Sequence, residues 1–130
     1  MFRISQLLKT LHDDLLDPKP VKAARKMPGP VVIWNLIRRC NLRCKHCYST
    51  SLDIDFKDEL TTDEIKATID DLKVAQVPVI ILSGGEPLLR PDIYEITAYA
   101  KAKGFYVALS TNGTLIDESN IEQIKAADYQ

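Results

Sequence analysis

The chain has 130 residues, 45% of them hydrophobic and 27% charged, with a formal net charge of −1. That balance belongs to an ordinary folded domain and excludes a polybasic surface for nucleic acid or anionic lipid. No apolar stretch approaches the roughly 20 residues of a transmembrane helix, so neither nucleic acid nor membrane is expected as a partner.

Residues 1–30 read as a preface to the domain. Ile4, Leu7, Leu8, Leu11, Leu15 and Leu16 share one helical face, which predicts a short amphipathic helix over about 4–16. Asp13, Asp14 and Asp17 argue against a lipid target. Packing on the domain is the expected use, and His12 reads as a surface residue. Met1-Phe2-Arg3-Ile4-Ser5 has no apolar core and no small-residue cleavage site, so no signal peptide is expected. Pro18, Pro20, Pro28, Gly29 and Pro30 predict a stiff linker.

Residues 31–130 alternate strand and helix signals, the pattern of an α/β fold with a parallel sheet. The apolar run 31–37 predicts a buried strand that ends where the cysteines begin. An acidic connection follows through Asp53, Asp55, Asp58 and Glu59, read as a solvated loop. Thr61 and Glu64 have the spacing of a capping box and predict a helix over 62–75, with Ile65, Ile69 and Leu72 turned inward. A second strand is expected over 77–82. Pro91 suits the first position of a second helix, which should run to Lys103 with Ile93, Ile96 and Ala100 inward and Gly104 just past its end. A third strand is expected over 105–109, and a third helix from Asp117 through Ile121 and Ile124 to Ala127. Asp128, Tyr129 and Gln130 read as the first step toward a fourth strand.

The chemistry is concentrated in Cys40-Asn41-Leu42-Arg43-Cys44-Lys45-His46-Cys47, which holds every cysteine of the chain. Three thiolates on one short loop can hold three irons of a cubane 4Fe–4S cluster. Such clusters are normally held by four Cys, so one iron would stay open to a ligand. Other readings exist. A disulfide with one thiol left over needs an oxidising compartment, whereas cysteine usage here fits a reducing cytoplasm. A Cys3His zinc site using His46 is an acceptable ligand set, but zinc pairs more often come as C-x2-C with a distant second pair. Three buried structural thiols would sit on an apolar face. Here Arg38, Arg39, Arg43 and Lys45 surround them, a basic setting that favours thiolates.

With these cysteines, His46 before the last of them, and Gly84-Gly85-Glu86-Pro87 at the next strand end, the chain resembles the radical S-adenosylmethionine (radical SAM) superfamily. Ser110-Thr111-Asn112-Gly113 is similar to the segment after the third strand in many members. The resemblance implies a TIM-like partial (β/α)6 barrel, of which this chain would supply about three βα units in an incomplete core domain over 31–130. A full eight-unit barrel takes about 250 residues. The chain is therefore expected to be the amino-terminal portion of a longer enzyme, with an open inner sheet face.

The resemblance also implies the site. Cys40, Cys44 and Cys47 would bind the cluster, and SAM would chelate its open iron. Gly84 and Gly85 would let backbone approach SAM, and Glu86 would accept from its ammonium. Pro87 would fix the turn. Ser110 and Asn112 would meet its carboxylate or ribose, although Asn112-Gly113 alone reads equally as a turn. His46 would lie near SAM, and Tyr48 would contact adenine through its backbone. The stretches 29–42, 46–49, 79–92 and 112–117 resemble the radical SAM proteins of heme d1 biosynthesis. That closer likeness implies removal of two propionate side chains from didecarboxysiroheme, with an electron donor such as flavodoxin or ferredoxin. A related heme-pathway decarboxylase, a peptide-modifying maturase and a zinc-binding module are the alternatives.

Overall fold

The computed structural model describes residues 29–129. The helix expected over 4–16 and most of the linker lie outside them. Three strands, β1 (Val31–Ile37), β2 (Val79–Gly84) and β3 (Tyr106–Leu109), form one parallel sheet in the order β1-β2-β3. Helices α1 (Thr62–Val74), α2 (Ile93–Ala102) and α3 (Ile121–Ala127) alternate with them. This is the mixed α/β pattern expected of the amino-terminal part of a radical SAM-type barrel.

Alternation along the strands separates two faces. Leu36, Ile80, Leu82 and Val107 join Ile65 and Ile69 of α1 and Ile93, Ile96 and Ala100 of α2 in one buried core. The opposite face is open. Val31, Ile33 and Tyr106 there are 56%, 65% and 63% exposed. The first strand is therefore buried on one face only, a correction to its reading from an unbroken apolar run.

Local chemistry sets the boundaries. Thr61 caps α1: its hydroxyl accepts from the Glu64 N–H, while the Glu64 carboxylate accepts from the Thr61 N–H at 2.8 Å. The second strand starts two residues later than expected, because Val77 is held in a turn by the carbonyl of Leu72. Pro91 lies outside α2, whose cap is Asp92. The proline at a helical start is Pro87, in a short 3-10 turn over Pro87–Leu89. Gly104 follows the end of α2 with φ of +84°, a left-handed position open to glycine at little cost. The third helix begins at Ile121 rather than Asp117, because the Asp117 carboxylate accepts from the Ser119 backbone and hydroxyl and folds 117–120 into turns. Asp128 takes a left-handed conformation that ends α3, so no strand begins at 128–129.

One buried ion pair ties these pieces beneath the site. The Arg90 guanidinium donates to the Leu36 carbonyl at 3.2 Å, to the Leu60 carbonyl at 3.1 Å, and twice to the Asp92 carboxylate at 2.8 Å. The Thr62 hydroxyl donates to the same carboxylate. The end of β1, the start of α1 and the start of α2 thus meet on one side chain.

Replacing Arg90 by Met strands two carbonyls and a carboxylate, at a cost of about 3–5 kcal/mol. The expected result is a lower denaturant midpoint at unchanged slope. Arg90 also holds the Asp92 carboxyl below its ordinary value. A depressed carboxyl pKa stabilises the fold above the unfolded Asp value of about 4, and that contribution is lost as pH falls through the lower folded value. Asp92→Asn should flatten the acid limb of stability against pH.

Candidate functional site

Every residue singled out in the sequence for its chemistry lies at the carboxyl end of a strand or in the segment that follows it. The register of β1 on β2 slips between Asn35 and Ile37, so that Ile37 faces Gly84. Beyond that slip the chain turns into the cysteine loop, and β2 runs into Gly84-Gly85. The two segments are joined backbone to backbone. Gly85 N–H donates to the Ile37 carbonyl at 2.7 Å, and Glu86 N–H to the Arg39 carbonyl at 2.9 Å. A Cβ on Gly85 would lie 2.2 Å from the Arg39 oxygen, and one on Gly84 would lie 2.3 Å from the Ile37 oxygen. In this structure the two glycines make room for the protein's own backbone.

The cysteine loop is fastened at both ends. Cys40 N–H donates to the Leu52 carbonyl at 3.1 Å, beside a bridge between Arg39 and Leu52. The Arg39 guanidinium reaches Asp53 at 2.9 Å and Asp55 at 2.8 Å. Arg38 N–H donates to Glu59 at 2.8 Å, and its guanidinium lies 4.3 Å over the Phe56 ring. The acidic connection is therefore more than a solvated loop: its carboxylates brace the base of the cysteine loop. These are exposed pairs and each contributes little alone.

The three thiols are not equivalent. Cys40 is buried, while Cys44 and Cys47 are exposed and line an open cavity of about 400 Å³ with Arg43, Thr50, Ser51 and Leu52. The Cys40 sulfur accepts from the Leu42 N–H at 3.4 Å and from the Asn112 amide at 3.8 Å. The Cys47 thiol is held down at about 7 by hydrogen bonds, the Ser49 hydroxyl first and the Ser51 backbone next. The expectation that the surrounding Arg and Lys supply this effect is corrected; Arg39 is spent on Asp53 and Asp55. Among the described residues no three His, Cys, Asp or Glu side chains gather closely enough for a single metal ion. The thiolates of a cubane sit on different irons and surround the cluster rather than converge on a point. Three thiols on one loop, with no fourth in the chain, fit that donor set.

The segment after β3 closes over this loop. Asn112 donates from its amide to Asn41 Oδ1 at 3.0 Å, Asn41 donates to Thr114 Oγ1 at 2.8 Å, and Thr114 returns a bond to Asn112 Oδ1 at 2.7 Å. This ring occupies the Asn112 side chain. The Glu86 carboxylate points inward too: it is fully buried and accepts from Leu88 N, Thr111 Oγ1 and Asn112 N at 3.0, 2.7 and 2.8 Å. Ser110 and His46 stay exposed. The Tyr48 hydroxyl donates to Asn35 Oδ1 at 3.0 Å, which leans the end of the cysteine loop on the open sheet face. The sequence reading assigns no role to Asn35, Asn41, Thr111 or Thr114. Only Thr114 had a local signal, standing two residues after Asn112 as in an Asx-turn.

Residues 34–129 match the radical SAM superfamily. The chain belongs to that superfamily. Its members use a 4Fe–4S cluster and S-adenosylmethionine. Among the curated relatives, the pre-heme d1 synthase of Dinoroseobacter shibae is 49% identical over 95% of this chain and 30% of its own length. The Fe-coproporphyrin III synthase of Methanosarcina barkeri is 54% identical over 93% of the chain and 30% of its own length. The mycofactocin maturase of Mycobacterium tuberculosis is 40% identical over 81% and 27%. The chain thus spans about 30% of the length of the first relatives it matches. Among the described residues no helix is long and apolar enough to cross a membrane.

Gly85→Ala tests the backbone junction of this radical SAM site. Overpacking of this kind costs about 1–3 kcal/mol or more. The variant should unfold at lower denaturant concentration and expose Cys40 to a thiol reagent that reaches only Cys44 and Cys47 in the parent. Equal stability and an unchanged pattern of thiol reactivity would refute the close approach.

Proposed function

We propose that this chain is the amino-terminal share of a radical SAM enzyme that acts on a heme-type tetrapyrrole. Residues 31–130 supply the first units of the catalytic core, and residues 1–30 are its preface. The observation that carries the proposal is the meeting of the cysteine loop, the Gly84-Gly85 turn and Asn112 at the carboxyl end of one parallel sheet. Ligand chemistry in α/β folds gathers at that end.

In this reading Cys40, Cys44 and Cys47 hold three irons, and the fourth is left for S-adenosylmethionine. When bound, the cluster held there would supply one-electron reduction of the sulfonium, and so a radical able to take a hydrogen atom from the substrate. The exposed Ser110, His46 and the backbone of Tyr48 face the cofactor. Gly84 and Gly85 bring the backbone of the turn beside it. A flavodoxin or ferredoxin supplies the electron. Three thiols that must stay reduced favour the cytoplasm.

For the substrate, the resemblance to the radical SAM proteins of heme d1 biosynthesis implies didecarboxysiroheme, with loss of two propionate side chains, and the pre-heme d1 synthase relative supports that pathway. The higher identity of the Fe-coproporphyrin III synthase favours a second reading, a decarboxylase of the same class of tetrapyrrole. Both readings share the radical step.

The whole protein, reduced anaerobically with S-adenosylmethionine and didecarboxysiroheme, should release 5′-deoxyadenosine and a tetrapyrrole lacking two propionates by mass. A product that keeps both propionates assigns the second reading. No 5′-deoxyadenosine with any heme-type tetrapyrrole overturns the substrate class.

A further inference from the structure

The carboxylate of Glu86 is the one acidic group of the site that is fully buried. None of the cation–carboxylate pairs among the described residues includes it. A carboxylate in that position is costly unless hydrogen bonds replace the lost water. Here they do. Oε1 accepts from the Leu88 N–H and the Thr111 hydroxyl, and Oε2 accepts from the Asn112 N–H. Two of these donors belong to the segment after β3, so the carboxylate ties two consecutive strand ends together. Thr111 is itself fixed, because its hydroxyl oxygen also accepts from the Gly113 N–H at 3.0 Å. The tie continues outward. Asn112, pinned by its backbone to Glu86, reaches the cysteine loop with its side chain, at Asn41 and at the Cys40 sulfur.

We propose that Glu86 is a positioning residue: its buried carboxylate holds Thr111 and Asn112 so that the Asn112 amide closes the cysteine loop and donates to the Cys40 sulfur. The proposal deepens the radical SAM reading above and rests on it for the role of Cys40. It replaces a direct contact between Glu86 and the cofactor, which a fully buried side chain does not offer. Its consequence for the cluster follows from electrostatics. The positive end of an N–H aimed at a ligand sulfur stabilises the extra negative charge of the reduced cluster. Hydrogen bonds to sulfur are one of the factors that set cluster potentials.

The test compares the whole protein with Glu86→Gln and Thr111→Val. Gln keeps the size but has one acceptor oxygen. Whichever way it is oriented, its NH₂ faces the N–H of Leu88 or of Asn112. Two measurements precede any addition of S-adenosylmethionine. In cluster-free protein, hydrogen exchange over 111–114 should accelerate about tenfold in Glu86→Gln, as for the loss of one hydrogen bond. In reconstituted protein, the cluster potential should fall. Thr111→Val leaves the carboxylate in place and should move both readouts in the same direction by less. It also decides the matter if Glu86→Gln does not fold. Unchanged exchange and potential, with only S-adenosylmethionine binding weakened, would make Glu86 a cofactor ligand and overturn the proposal. If the parent protein assembles no cluster, the radical SAM reading fails by itself, while hydrogen exchange still reports on the Glu86 tie.

Discussion

The site depends on one backbone contact. At the carboxyl ends of β1 and β2, Gly84 and Gly85 pass so close to Ile37 and Arg39 that no side chain fits between them. Two N–H···O bonds lock the approach, Gly85 to Ile37 and Glu86 to Arg39. Because β1 leads into the cysteine loop, this contact decides where Cys40 enters. Because β2 leads into Glu86, it also decides where the carboxylate that meets the next strand end is buried. The three segments after the three strands become one structure through this junction and the Asn41–Asn112–Thr114 ring.

Around this junction the protein divides its labour by face and by layer. The helix side of the sheet is a continuous apolar core, with Ile65, Ile69, Ile80, Leu82, Ile93, Ile96 and Val107 almost without exposure. Below the site, Arg90, held by the Asp92 carboxylate, donates to the carbonyls of Leu36 and Leu60. The opposite sheet face stays open, and Tyr48 and Asn35 meet at its upper edge.

Much of this was legible in the sequence, and the misses have physical causes. The capping box at Thr61 and Glu64, the inward Ile65 and Ile69 and the glycine after α2 are local signals, and the structure follows them. Pro91 misled by two positions, because Asp92, held by Arg90, takes the cap and the helix starts at Ile93. The outer side of β1 reads as buried because Val31 and Ile33 are apolar, and exposure is not written in a strand's composition. The cysteine spacing was readable because it lies on one loop. The roles of Asn35, Asn41 and Thr111 were not, since their partners lie 13 to 73 residues away, and only the fold brings them together. Relatives with three different names share this stretch at 40–54% identity.

The central claim is that Cys40, Cys44 and Cys47 hold a cubane cluster with one iron open to S-adenosylmethionine. The most direct test is anaerobic reconstitution of the whole protein with iron and sulfide, followed by reduction and electron paramagnetic resonance with and without S-adenosylmethionine. The account predicts a reduced cubane signal that shifts when S-adenosylmethionine is added and disappears when any one of the three cysteines is changed to Ala. Tight zinc binding in place of a cluster, or a cubane signal that S-adenosylmethionine leaves unmoved, would contradict it.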